Sequence, residues 1–331
     1  MTEDRKTPSK TEEEKLNEAY LEDIQKFKEE NLLSEARQRK IMKRGKWRAR
    51  FVTALHAIGI FLLLSFVTSM LTFFYYSSQS PIPIKQGEKL QRVIDYTHMI
   101  TDPYGFAGTT TLEEGRYFTL KVIRDHVRMT GNQRTKSGQT EVNFFFSFMG
   151  SPKKREFVNR DRPAFLTAKD EGSASQWKQL EKLPEGTVAT AYVTLSENLS
   201  AEEIVELLSE KDLRLLWLAL ELDSLNSYTQ PVGVPIIFHK DFSDDDTSEQ
   251  TEGYERQFLQ IVKYLNKHEK KANKLTNGDL SYQQILADIE KDGFNYYGLV
   301  VTGPTKEILS FREESWLQYL SLDGVELWSW D

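Results

Sequence analysis

Five histidines, His56, His98, His126, His239 and His268, are the side chains of this chain best suited to proton transfer or metal ligation near neutral pH. They are scattered and never take the H-E-x-x-H spacing that sets two imidazoles and a carboxylate on one helix face. Their spacing therefore favours ordinary core or surface histidine. Asp241, Asp244, Asp245 and Asp246 form an acidic cluster able to attract calcium, but the EF-hand ligand spacing and its glycine are missing, and the stretch reads as a solvated loop. Gly303-Pro304-Thr305-Lys306 evokes a phosphate loop without the G-x-x-x-x-G-K-[ST] spacing. A strand end followed by Pro304 in the first turn of a helix explains it better. There is no G-x-S-x-G elbow and no S-x-x-K with the companion motifs of penicillin-binding enzymes. The chain has no cysteine, which excludes disulfides, Cys-ligated zinc, Fe–S clusters and thiol nucleophiles together. Its many carboxylates single out no acid–base pair. Nothing here points to catalysis, a cofactor or a metal.

What organises the chain is instead the run from Phe51 to Tyr76, which contains no Lys, Arg, Asp or Glu. A hydrocarbon core of about 30 Å needs roughly 20 apolar residues, so the run is long enough to span it with some tilt. Lys40, Lys43, Arg44, Lys46, Arg48 and Arg50 crowd its entry, with Arg37 and Arg39 behind, whereas the exit side offers no charge until Lys85. That asymmetry predicts a single-pass anchor in the cell membrane, with residues 1–50 cytoplasmic and 77–331 outside. Trp47, and Phe73, Phe74, Tyr75 and Tyr76, stand where interfacial aromatic belts form. A cleaved signal peptide fits poorly, because the basic lead is too long and no small-residue cleavage pattern follows.

The net charge of −7 conceals compartments. Residues 1–35 and 77–331 are acidic, while 36–50 carry only basic charge. The basic block serves topology and attraction to inner-leaflet lipid. Without a basic domain beside it, direct nucleic-acid binding is not expected.

From Glu12 to Lys43 there is no Pro or Gly, and helix formers dominate. Leu16, Tyr20, Ile24 and Phe27 fall on one stripe with Leu21 beside it; Leu32 and Leu33 begin another patch. A segment this poor in large apolar residues cannot enclose a core. Its stripe is a solvated spacer, a short self-paired coiled coil, or a face that docks into a groove on a cytoplasmic partner; the last reading is favoured and makes Leu16, Tyr20, Ile24, Phe27, Leu32 and Leu33 the candidate contacts.

The exported part opens with a stiff linker containing Pro81-Ile82-Pro83 and a helix over 86–100. Residues 117–124 and 141–149 read as strands, with the polar 131–138 between them as a loop or hairpin connection. A soft boundary falls at 170–186. Beyond it, strands are expected at 187–195, 213–222 and 294–302, helices at 201–211, 254–271 and 281–292, a helix from 304 to about 320, and a closing strand at 325–330. Ser200 and Glu203 have capping-box spacing, a better explanation of Ser200 than the chance sequon Asn198-Leu199-Ser200. The expected architecture is a helical cytoplasmic segment (1–50), one transmembrane helix (51–76) and an α+β extracytoplasmic domain with a mixed sheet, in two parts, 77–180 and 181–331.

Three stretches resemble a known family. They are Arg39–Tyr76 followed by Val93-Ile94-Asp95; Gly186–Leu195 with the helix and strand after it; and Tyr297-Gly298-Leu299-Val300-Val301-Thr302-Gly303-Pro304-Thr305-Lys306-Glu307-Ile308-Leu309. In order and local pattern these resemble the bacterial sigma-factor regulators of the YhdL type, single-pass membrane anti-sigma factors. The resemblance implies a repressor of an extracytoplasmic-function sigma factor in a Gram-positive bacterium, answering cell-envelope stress. The cytoplasmic part would hold the sigma factor and the outer part would tune that hold. It implies no catalytic residue. The competing function is a membrane-anchored cell-envelope enzyme or wall-binding protein with an incidental cytoplasmic helix, and a third is a structural scaffold. Ser65-x-x-x-Ser69 leaves room for an accessory membrane protein.

Overall fold

The computed structural model describes residues 12–77, 79, 81, 84–157, 165, 173–225, 231–236, 247–276 and 280–327. His239, the Asp241–Asp246 cluster and the last residues of the expected closing strand lie outside the described residues. The chain divides into two compact units, Met1–Val67 and Thr68–Asp331.

The first unit is most of one helix, α1 (Glu12–Tyr76), 65 residues long. The sequence predicts a helix over 12–43 and a span over 51–76; the two are one uninterrupted helix. No proline interrupts it, and Gly45 and Gly59 have open space around them. Among the described residues this helix is long and apolar enough to cross a bilayer, and its apolar stretch is almost wholly unburied. The polar groups within that stretch are satisfied locally. Thr53 Oγ1 donates to the Ala49 carbonyl at 2.9 Å, and His56 Nδ1 donates to Val52 at 2.8 Å.

The second unit receives the last turns of α1. It continues with α2 (Gln86–Thr101) and a first sheet of β1 (Thr110–Glu114), β2 (Thr119–Thr130), β3 (Gln133–Phe145), β4 (Phe148–Met149) and β5 (Lys153–Glu156). After α3 (Ser173–Glu181) come β6 (Thr187–Leu199), α4 (Ala201–Leu208), β7 (Arg214–Leu220), β8 (Gly233–Pro235), α5 (Thr247–Asn266), α6 (Glu269–Ala272) and α7 (Tyr282–Asp292). The chain then forms β9 (Tyr296–Pro304), α8 (Thr305–Ser310) and β10 (Leu317–Leu327). The second sheet has the order β10-β6-β9-β7-β8.

The expected α+β character is present, but the mixed sheet is not. Every pairing among the described strands is antiparallel. The β6-α4-β7 unit suggests a parallel pair, yet β9 inserts between those two strands and pairs antiparallel with both. Of the two readings of 131–138, the hairpin connection holds and the loop does not: Gly131, at φ 58°, makes a tight turn and β3 begins at Gln133. A further expectation is corrected. The helix after Pro304 stops at Ser310, and the closing strand begins at Leu317, where it pairs with β6 and buries Leu320. Ser200 does form the capping box, accepting from Glu203 N while its own N–H donates to Glu203 Oε2 at 2.7 Å.

The second sheet is buried on both faces, which is why β7 and β9 read as nearly continuous apolar runs. Ala191, Val193, Leu218 and Val301 pack with Ile204, Phe258, Ile285 and Ile308 of the helices. On the opposite face Tyr192, Trp217 and Val300 meet Met129, Tyr104 and Phe165. The far end of β2 is held there by hydrogen bonds: Thr190 Oγ1 donates to the Met129 carbonyl at 2.7 Å, and Gly131 N to Thr302 Oγ1 at 2.6 Å. The first sheet buries Leu120, Val122, Val142 and Phe144 against Leu90 and Ile94 of α2.

One buried ion pair ties α2 to β2. Arg124, 3 % exposed, donates to Asp95 and to the Gly105 carbonyl, and reaches Thr110 Oγ1 at 2.8 Å. Burial draws the Arg124 pKa down, and the Asp95 carboxylate opposes that shift. Close by, the His98 and His126 rings meet edge to face at 4.7 Å. Burial, reinforced by His126, Arg124 and Lys154, holds the His98 pKa well below its ordinary value. The unfolded chain therefore takes up a proton below about pH 6.5 that the folded domain refuses. Stability is full above that pH and declines as the pH falls below it. Thermal melts from neutral to mildly acidic pH should show a smaller loss for His98→Gln than for the natural chain; equal losses would remove His98 as the cause.

Candidate functional site: an exposed stripe and a clamped helix end

In α1, Leu16, Tyr20, Ile24 and Phe27 recur at helical spacing, so at 3.6 residues per turn they fall within an arc of about 80°. All four are exposed, Tyr20 at 67 % and Phe27 at 68 %. Leu21 is also exposed beside them. Leu32 and Leu33 lie in the same helix, but their side chains are outside the described residues. The four described side chains share one face, while Glu, Lys and Asn occupy most of the rest of the turn. An apolar face of this kind on an isolated helix can do one thing chemically: bury itself against another apolar surface.

The other end of α1 is built into the second unit. Tyr76 is buried, and its phenol oxygen stands 2.7 Å from the Phe118 carbonyl and 2.9 Å from that of Phe146, so one proton serves two acceptors. Phe118 N donates to Thr72 Oγ1 at 2.9 Å. Tyr75 OH and Ser147 Oγ are 3.1 Å apart, and Gln86 Nε2 donates to the same Ser147 oxygen at 3.0 Å. The Phe118 and Phe146 rings stack at 4.3 Å, and Tyr75 sets its edge against both.

The local backbone is shaped for this grip. Tyr117, Phe118 and Phe146 adopt φ of 55°, 57° and 52°, a left-handed conformation that costs roughly 1–2 kcal/mol for a residue other than glycine. Gly87 closes the clamp from α2: a Cβ there would lie 2.5 Å from the Tyr76 carbonyl oxygen. The last turn of α1 is thus fixed to two turns of the first sheet and to the start of α2. The sequence shows Tyr75 and Tyr76 only as interfacial aromatics. The unusual aromatic pairs Tyr117-Phe118 and Phe145-Phe146 were the available signal, but nothing local links them to a helix so far away in sequence.

Among the described residues no group of three His, Asp or Glu is placed to hold a metal ion. Beside the clamp, a cavity of about 650 Å³ is lined by Leu120, Phe144, Phe145, Phe148 and Met149 with Glu113 and Lys121 at its edge.

The model of the sigma factor regulator N-terminal region matches residues 39–135, and that of the sigma factor regulator C-terminal region matches 180–324. The chain is similar to the "Probable anti-sigma-M factor YhdL" of Bacillus subtilis (strain 168), at 25 % identity over 309 residues, 90 % of this chain and 85 % of that protein. No solved structure matches the chain.

The clamp makes a prediction of its own. Tyr76→Phe leaves two carbonyls without their donor and should lower the stability of the second unit by about 1–2 kcal/mol in denaturant titrations, with faster hydrogen exchange at the Phe118 amide. Gly87→Ala should loosen the same amide by forcing α2 off the helix end. Unchanged exchange at Phe118 in both variants would show that the contacts do not hold the helix.

Proposed function

Because the chain belongs to the sigma factor regulator family, we propose that it is a membrane-tethered anti-sigma factor. Residues 51–76 span the cell membrane, residues 1–50 face the cytoplasm, and the outer part, with regions 77–180 and 181–331, carries the regulation. The apolar stripe holds an extracytoplasmic-function sigma factor at the inner face of the membrane through Leu16, Tyr20, Ile24, Phe27, Leu32 and Leu33. The exported domain tunes that hold in response to envelope stress in a Gram-positive bacterium.

The observation that carries this reading is the exposed stripe itself. A water-exposed row of large apolar side chains is unfavourable unless a partner covers it, and helix-in-groove docking is the mode that such a row fits. The basic block before Phe51 supports the orientation. A membrane-anchored envelope enzyme or wall-binding protein needs no apolar face in the cytoplasm, and its helix would be incidental. Release of the sigma factor would pass through the span by cleavage, or by an accessory membrane protein packing on Ser65 and Ser69.

The full chain, co-expressed with each extracytoplasmic-function sigma factor of its own organism in turn, should retain one of them on purification. Tyr20→Asp and Phe27→Asp should each weaken the complex by roughly 2–4 kcal/mol, as for buried aromatic anchors. Retention equal to that of the natural chain in both variants would place the contact elsewhere and leave the stripe a spacer.

A further inference from the structure

Beyond α1, the exposed large apolar side chains described in the second unit are Ile84, Tyr117, Phe145, Phe148, Phe157 and Leu327, and the first four gather near the end of α1. Phe148 is 77 % exposed, Phe145 53 % and Tyr117 46 %. Tyr117 immediately precedes Phe118, and Phe145 immediately precedes Phe146, the two residues whose carbonyls hold Tyr76. Phe148 pairs directly with Phe145 in the β3–β4 ladder. Ile84, also exposed, lies in the connection to α2, three residues before the Gly87 that touches the Tyr76 carbonyl. Through these chain neighbours and the β3–β4 pairing, the four residues lie next to the groups that hold the last turn of the apolar helix.

Scattered exposed apolar residues need no explanation, but a cluster does. A protein partner or a second copy would bury it as well as lipid would. Continuity decides for lipid: the cluster flanks the very turn at which the span leaves the bilayer, where aromatic side chains are favoured because their rings suit the headgroup region. Charge agrees. The exposed Lys85 and Arg116 offset the exposed Glu113 and Glu114, so the patch asks for no net lipid charge.

We propose that Ile84, Tyr117, Phe145 and Phe148 form a second membrane attachment, seated in the outer-leaflet interface beside the span. This rests on the reading of α1 as a membrane span. With helix and aromatic turns both embedded, the first sheet is held in one tilt on the bilayer, and a change in the interface acts directly on the sheet that grips the helix end. The opposite end of the same hairpin stands clear. Asn132 lies beyond the twelve-residue β2, roughly 40 Å from the clamp at about 3.3 Å per residue.

The absence of cysteine allows a clean test, because each introduced cysteine is the sole labelling site. The full chain carrying Ser65→Cys, Phe148→Cys or Asn132→Cys is labelled with an environment-sensitive fluorophore and reconstituted in phosphatidylcholine vesicles. The vesicles contain spin-labelled lipid, with the spin label either near the head or near the end of the acyl chain. Label at Ser65 should be quenched by the deep spin label. At Phe148, quenching by the shallow spin label should exceed that at Asn132 by on the order of twofold or more. Aqueous iodide should reach Asn132 most readily. If Ser65 is quenched and Phe148 behaves like Asn132, the span stands and the second attachment is wrong. If Phe148 is shielded from iodide yet untouched by either spin label, protein covers the patch, and the proposal is equally overturned. If Ser65 is not quenched, the membrane reading itself fails, and the attachment with it.

Discussion

The phenol of Tyr76 and the hydroxyl of Thr72 place the end of a very long helix under the control of a folded domain. A helix C-terminus leaves carbonyls without intrahelical partners, and a chain emerging from an apolar run is otherwise free to swivel there. Here the side chains of the last turn are held from outside. Phe118 and Phe146 present their carbonyls to Tyr76 at the cost of left-handed backbone, and Gly87 lets α2 lie against the helix end at a distance no side chain permits. Without that junction, residues 84–327 would be a domain on a string. With it, the first sheet and the helix end move together.

The rest of the fold carries the constraint inward. The buried Arg124–Asp95 pair fastens β2 to α2, and α2 contributes Leu90 and Ile94 to the core of the first sheet but Val93 and Ile100 to that of the second. The far end of β2 is bonded to β6 and β9 through Thr190 and Thr302. A disturbance of the second sheet thus has a continuous packed route to Phe118.

Much of this could be read from local pattern. The apolar run, its basic lead, α2, the Ser200–Glu203 capping box and α7 after Ser281 are all encoded within a few residues of where they occur, and the structure has them. What escaped is non-local. Nothing near Tyr296–Pro304 says that this strand enters between β6 and β7, so the interspersed strands and helices suggest a mixed sheet where every described pairing is antiparallel. Residues 317–327 alternate weakly, with Ser321 and Asp323 amid the leucines, and helix formers upstream outweighed them. The polar residues at 133–138 look like loop because their partners, Thr130 back to His126 on β2 and Glu156 on β5, are invisible locally. The clamp was hidden for the same reason, since its two halves are 42 and 70 residues apart.

At the other end of α1, the row from Leu16 to Phe27 remains open, and the role of the whole chain turns on what covers it. A photoreactive amino acid incorporated at Phe27 in the growing cell, followed by irradiation and mass spectrometry of the adduct, asks this directly. The adduct should contain a sigma factor and should disappear when the cell envelope is stressed. An adduct containing only a second copy of this chain, or no adduct under any condition, would contradict the anti-sigma reading of the stripe.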